Sequence, residues 1–281
     1  MCRALKRHNP YHEIVVINSG TPQPYLRIDR YARVINLPPF RAESGLFTGL
    51  RTDGDKDIVF RERMRILERV ARGFRPDIAV FEHFPFGRES LENEIVSFIK
   101  ELKKHEALIY SSVRDIIEQE VNTKKLERNL ELFNGIFVHS NADDGFVTSF
   151  RKTRNLKSKL IYCGRLFPKR KEELISRDKI RWQLKAVDKK LIVAGIGGGI
   201  DGSEIIESLI GMKDRIDNSL LLVSAGPSIS DEAYCNIKKK AGNRSDILLT
   251  RFNRNYLDYV NAADLSVSMG GYNSVNNALL T

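Results

Sequence analysis

Short apolar runs alternate with helix-patterned segments from end to end of this chain, and that alternation commits it to α/β units on parallel sheets. In the first half, 13–18, 33–37, 77–81, 107–112 and 135–139 are short enough for buried strands. Helical patterns lie between them at 58–73, 89–104 and 115–133. The last two carry apolar residues three and four apart under charged outer faces. The second half repeats the scheme, with strands over 190–194, 219–224, 246–250 and 264–268 and helices over 203–213, 231–241, 255–262 and 273–280. Between the halves, a Gly/Pro- and charge-rich stretch after Tyr162 suits a connector. The expected organisation is a first Rossmann-like domain over 1–163, a linker over 164–178 and a second Rossmann-like domain over 179–281. The chain opens in a helix at Cys2–Arg7 and stops at the helix beginning at Asn273, so further elements are expected outside both ends, which makes the second domain a truncated one.

Composition narrows the partners. Lys and Arg number 46 against 36 Asp and Glu, a formal net charge of +10, which favours anionic ligands such as nucleotide phosphates or acidic lipid headgroups. No nucleic-acid recognition motif accompanies the charge, and a nucleic-acid partner is not expected. No apolar run is long enough for a membrane span and the N-terminus lacks a signal-peptide core, so a cytoplasmic protein is expected. Cys2, Cys163 and Cys235 lack the spacing of a disulfide framework or a zinc site. No Asp-X-Asp stands out for metal binding, and neither metal nor cofactor is expected.

Two strand ends carry glycine clusters: Leu191-Ile-Val-Ala-Gly-Ile-Gly-Gly-Gly-Ile-Asp-Gly202 and Asp264-Leu-Ser-Val-Ser-Met-Gly-Gly-Tyr-Asn-Ser274. A strand, then glycines, then a helix start presents bare backbone N–H groups to an anion. Two such loops on one domain suggest a nucleotide diphosphate between them, although glycine at a strand-to-helix turn is often only a tight turn. In the first domain, His83, Asp115 and His139 follow three strands at their C-terminal ends, the edge where open α/β sheets bind ligands. Each is a candidate base. Asp115 is also a good N-cap and His139 a plausible satisfied strand end.

Glu82-His-Phe-Pro-Phe-Gly-Arg88, Ser112-Val-Arg-Asp-Ile116, Gly197-Gly-Gly-Ile-Asp-Gly202 and Ser268-Met-Gly-Gly-Tyr-Asn-Ser274 together resemble a family of predicted glycosyltransferases. That family is similar to the N-acetylglucosaminyltransferase that forms lipid II in peptidoglycan synthesis, of the family 28 type. The resemblance implies the glycosyltransferase B fold, two Rossmann-like domains facing a cleft, with a nucleotide-sugar donor on the C-terminal domain and an acceptor on the N-terminal one. It places Gly197, Gly198 and Gly199 against the donor diphosphate, with Gly270, Gly271, Asn273 and Ser274 as the other wall. Phe252 matches a position whose main chain reads a uracil edge. Asn277 stands where related sequences have a glutamate for the ribose hydroxyls, and an amide makes a weaker bond there than a carboxylate. The family's first strand and its histidine-bearing glycine loop would lie upstream of Cys2, and further donor contacts beyond Thr281.

The function so implied is transfer of a sugar from a UDP-sugar, UDP-N-acetylglucosamine first, to an unidentified acceptor without a metal ion, by the intact enzyme or its remnant. Arg88 and Arg114 are candidates for an acceptor phosphate, and Arg165, Lys169 or Arg170 for the departing diphosphate. If the acceptor is lipid-linked, Phe40, Arg41 and Phe47 in the long loop 38–56 would rest peripherally on anionic headgroups. The alternatives are a UDP-sugar 2-epimerase, which shares the fold, and a non-catalytic nucleotide-sugar-binding protein.

Overall fold

The computed structural model describes residues 1–20, 27–39, 41–42, 50–51, 56–114, 123–142 and 156–281. The chain divides into two compact units, Met1–Arg165 and Leu166–Thr281.

In the first unit, α1 (Cys2–His8) leads to β1 (Val15–Asn18), which pairs in parallel with β2 (Arg33–Asn36); β3 (Arg41–Ala42) and β4 (Leu50–Arg51) form a small antiparallel pair. Then come α2 (Lys56–Phe74), β5 (Ile78–Glu82), α3 (Glu92–Lys103), β6 (Leu108–Val113), α4 (Thr123–Leu130), β7 (Gly135–Val138) and β8 (Leu160–Tyr162). Strands β5 to β8 make one parallel sheet in chain order. Leu67, Val70 and Ala71 of α2 and Phe98, Ile99 and Leu102 of α3 bury their apolar stripes against Ala79, Phe81 and Ile109 of this sheet and against Val15, Ile17 and Ile35 of the β1–β2 pair. Phe81 meets Phe98 and Phe133 edge-on, at 6.0 and 6.2 Å between ring centres. Both sets of strands thus share one core, yet no backbone ladder joins them among the described residues.

Helix α2 carries a buried arginine that its amphipathic pattern does not announce. Arg63 is fully buried; it pairs with Glu94 of α3 through Nε and Nη2 at 2.6 and 2.7 Å, and donates to the Pro38 carbonyl and the Ser19 hydroxyl, each at 2.6 Å. One guanidinium therefore ties the turns after β1 and β2 to both helices. Helix α3 begins three residues later than expected, because Arg88 is left-handed and 89–91 form a 3-10 turn. Of the helix expected over 115–133, Thr123–Leu130 is helical and 115–122 lie outside the described residues.

The second unit holds α5 (Arg177–Gln183), β9 (Lys190–Gly195), α6 (Ser203–Gly211), β10 (Ser219–Ser224), α7 (Asp231–Ala241), β11 (Ile247–Thr250), α8 (Tyr256–Ala262), β12 (Leu265–Ser268) and α9 (Tyr272–Leu280). Its parallel sheet has the order β11-β10-β9-β12, so β9, first in sequence, is central and the chain reverses direction across the sheet there. Strand β9 is buried on both faces: Ile192 and Ala194 pack under α6 and α7, Leu191 and Val193 against Ile180, Val260 and Ala262. This explains its unbroken apolar run. Each such aliphatic side chain contributes about 1.5–3 kcal/mol by leaving water. The stretch expected as a linker is anchored here from Leu166 on. The Lys169 ammonium and the Ile175 N–H both bond the fully buried Asp258 carboxylate, at 2.5 and 3.0 Å, and α5 begins at Arg177.

Candidate functional site

Register brings the glycine loops of the second unit together. Gly195 lies level with Ser224 of β10 on one side and Ser268 of β12 on the other, and Ser224 with Thr250 of β11. All four strands therefore end at one edge, from which the segments after Gly195, Ser224, Thr250 and Ser268 emerge. The two loops singled out in the sequence leave neighbouring strands, and they touch. A β-carbon placed on Gly202 would lie 2.6 Å from the Met269 sulfur.

Glycine is used there in two distinct ways. Gly199 has φ +86° and Gly226 φ +90°; a β-carbon on Gly199 would lie 2.4 Å from the Ala225 carbonyl oxygen, and one on Gly226 2.5 Å from Gly198. The backbones of these two turns are in direct contact, secured by the Ser228 N–H donating to the Gly198 carbonyl at 2.8 Å. Gly197, Gly198, Gly270 and Gly271, by contrast, have nothing within 4 Å of the space a β-carbon would fill. A left-handed backbone at Gly197 and Gly270, φ +66° and +71°, accounts for glycine there, whereas neither packing nor φ accounts for it at Gly198 and Gly271. They leave bare backbone at the mouth of the edge, beside the first turns of α6 and α9, where aligned peptide dipoles favour an anion. Helix α9 is N-capped by Gly271, brings no acidic residue to its first turn and has no side-chain cap.

The remaining candidates distribute around this edge. Asn273 is exposed and Ser274 half-buried on the first turn of α9; Asn277 is half-buried one turn on. Its neighbour Asn276, not singled out in the sequence, is 5% exposed, and its Nδ2 has no hydrogen-bond partner among the described residues. Phe252 is half-buried just after β11. Before it, Arg251 donates to the Ile229 carbonyl at 3.0 Å, pairs with Asp231 and stacks over Tyr234 at 4.3 Å, which fixes the turn carrying Gly226. The Tyr256 ring lies so close under Gly195 that a β-carbon there would meet its hydroxyl at 2.5 Å, and burial raises the phenol's pKa. The Gly226 turn and Tyr256 escaped sequence reasoning. An Ala-Gly-Pro-Ser after a strand was the available signal for the first; the second had none.

The first unit presents a polar edge of its own. Glu82 lies level with Ser112, and Val138 with both Val113 and Tyr162, so His83, Arg114 and His139 follow strands ending at one edge. The structure joins His139 to a residue the sequence did not single out: its Nε2 lies 2.7 Å from the Ser112 hydroxyl on the adjacent strand. His83 and Arg88 both adopt left-handed backbone, with φ +66° and +65°, and both approach the Glu82 carboxylate, at 3.9 and 3.8 Å. Phe84 and Phe86 are buried and anchor the turn between them. Asp115, Phe40 and Phe47 lie outside the described residues, as does the side chain of Arg41. Arg165 is exposed at the end of the first unit, and Arg170 is exposed in the second. Lys169 is occupied by Asp258 rather than offered to a ligand. Among the described residues no cluster of His, Cys, Asp or Glu suits a metal, and no helix is long and apolar enough to cross a membrane.

No protein-family model matches the chain, and no curated protein matches it in sequence. Solved structures match its fold. They include a UDP-glucosyltransferase from Polygonum tinctorium (TM-score 0.57, 12% identity, 99% of this chain and 74% of that one). A putative UDP-N-acetylglucosamine 2-epimerase from Listeria monocytogenes follows at TM-score 0.55 and 9% identity, over 96% of this chain and 70% of that one. MurG of Acinetobacter baumannii matches at TM-score 0.51 and 9% identity, over 98% and 68%. At such identities the likeness is one of fold: the chain has the mixed α/β, parallel-sheet architecture of the glycosyltransferase B structures.

Proposed function

We propose that the second unit binds a UDP-sugar, UDP-N-acetylglucosamine first among them, and that the protein transfers the sugar to an acceptor hydroxyl handled by the first unit. One observation carries the reading: Gly198 and Gly271 leave open backbone on the loops after adjacent strands, where neither packing nor φ requires glycine. Amides of these loops and the starts of α6 and α9 would hold the diphosphate and stabilise the charge that grows on it as the sugar departs. Asn273 and Ser274 would add side-chain donors, Asn277 would meet the ribose, and the Phe252 main chain the base. In the first unit, His139, oriented by Ser112, would take the acceptor proton, with His83 and Asp115 the other candidates. Arg88 and Arg114 would hold an acceptor phosphate, and a lipid-linked acceptor would bring the loop of Phe40, Arg41 and Phe47 to a membrane surface. This chemistry calls for no metal ion, and its setting would be the cytoplasm.

The test is calorimetric titration of UDP and UDP-N-acetylglucosamine into the parent chain and into Gly198→Ala and Gly271→Ala. Neither glycine has a left-handed φ and neither β-carbon meets a neighbour, so both variants should unfold like the parent. Their UDP affinity should fall by about tenfold or more, about 1.4 kcal/mol, because the methyl occupies the ligand's space. Unchanged affinity in both would end the donor-site reading. With donor bound, UDP release only on adding an acceptor supports transfer, interconversion of the free nucleotide sugar supports epimerisation, and binding without turnover supports a binding protein.

A further inference from the structure

The strand ends of the second unit hold a polar group that the diphosphate reading leaves unused, the hydroxyl of Tyr256. Side chains along β9 alternate between the two faces of the sheet. Gly195 therefore belongs with Leu191 and Val193, on the face that α8 covers, while Ile192 and Ala194 lie under α6 and α7. The space its side chain would fill is taken: a β-carbon on Gly195 would lie 2.5, 2.7 and 2.8 Å from the hydroxyl oxygen, Cζ and Cε2 of Tyr256. The backbone at Gly195 is not left-handed, so the tyrosine ring is what demands glycine there. Tyr256 opens α8, which follows β11 at the edge of the sheet, yet its hydroxyl arrives at the end of β9, two strands away.

The end of β9 is where a sheet of this order opens. Strand β9 runs into α6 on one face, and its neighbour β12 runs into α9, which packs beside α8 on the other. The loops after the two strands part company there and leave a crevice above Gly195 and Ser268, which are level with each other. The Tyr256 hydroxyl stands at its floor. The ring is packed against the apolar cluster of Val193, Val260 and Ala262, and among the described residues its oxygen has no hydrogen-bond partner. Such a group is a donor fixed in place by packing, with its bonding capacity still to be met. We infer that the Tyr256 hydroxyl donates a hydrogen bond to a phosphate oxygen of a bound nucleoside diphosphate, and that Gly195 lacks a side chain so that the hydroxyl can reach it. The inference rests on the donor reading of the Gly198 and Gly271 loops and adds to their open amides a side-chain donor from below. A phosphate is the fitting acceptor because both open loops begin at this crevice, whereas Phe252, assigned to the base, follows β11. Burial raises the phenol's pKa, which keeps it a neutral donor while the phosphates are ionised. A bond from it to an ionised oxygen is charge-assisted, and the packed ring loses little freedom in making it.

The test compares the parent chain with Tyr256→Phe, which keeps the ring and removes only the oxygen. UDP is titrated by calorimetry, uridine by NMR at millimolar concentration, and urea unfolding is followed for both chains. UDP affinity should fall by about tenfold in Tyr256→Phe, with uridine binding and the urea midpoint unchanged. An equal loss for uridine would place the bond on the nucleoside, and a lowered midpoint would show that the hydroxyl bonds the protein; either overturns the inference. Should uridine not bind even at millimolar concentration, the phosphates carry the affinity and the UDP comparison decides alone. Equal UDP affinity in the parent and Tyr256→Phe, with Gly198→Ala weakened, would sink this inference and leave the donor reading standing. No UDP binding by the parent would end both.

Discussion

Two glycines of one short loop answer to different forces. At Gly198 the absence of a side chain serves no neighbour, whereas at Gly199 it is imposed by the Ala225 carbonyl and by a φ of +86°. Gly199→Ala should therefore destabilise the second unit by about 2 kcal/mol or more, from left-handed strain plus the clash. Urea unfolding would show it as a lowered midpoint, against a neutral Gly198→Ala. A sequence cannot separate these roles, since both positions read as strand-end glycine. It also hid Ser112, which is one more polar residue in a strand until His139 is brought beside it by register.

At the level of elements, long periodic helices and apolar strands were legible because their burial repeats at the period of the backbone. Helix α7 and strand β10 fall where expected, at Asp231–Ala241 and Ser219–Ser224. Helix α5 was not legible: in seven residues it buries only Ile180, too little for a period. Nor was the role of Arg63, whose partners come from a distant helix and two separate turns. A buried pair broken on one side leaves an uncompensated charge, so Arg63→Met should cost about 3–5 kcal/mol, while Arg63→Met with Glu94→Leu should recover most of that loss. Denaturant unfolding of the two variants checks this, and equal damage in both would show that the carbonyl and Ser19 contacts, rather than Glu94, dominate.

Across the whole molecule, acid should act through carboxylates that tie elements together. Hydrogen bonds from Arg244 and then Lys213 hold Asp246 well below the ordinary aspartate range. At Asp264, burial works to raise the pKa, but the Leu191 N–H together with Arg181 and Arg177 outweighs it and the carboxyl is lowered. Folded values below the unfolded ones mean that both groups stabilise the fold fully above about pH 4 and lose that contribution as pH falls through their folded values. Thermal unfolding between about pH 6 and pH 2 should show Tm falling on the acid side, with a shallower fall in Asp246→Asn. At this scale the alternation of strands and helices made the parallel-sheet architecture readable in advance. What it could not convey was which turns meet in space: the Gly197–Gly202 loop was expected to face the Gly270–Gly271 turn, and it touches Met269 there, but its tightest neighbour is the turn at Gly226.

The contact of Gly199 with Gly226 also bears on ancestry. Because each occupies the volume the other's side chain would need, neither can acquire a methyl group without distorting its counterpart, and a lineage should keep or abandon the two jointly. A descendant that filled one of the two vacancies would have to rebuild both turns at once.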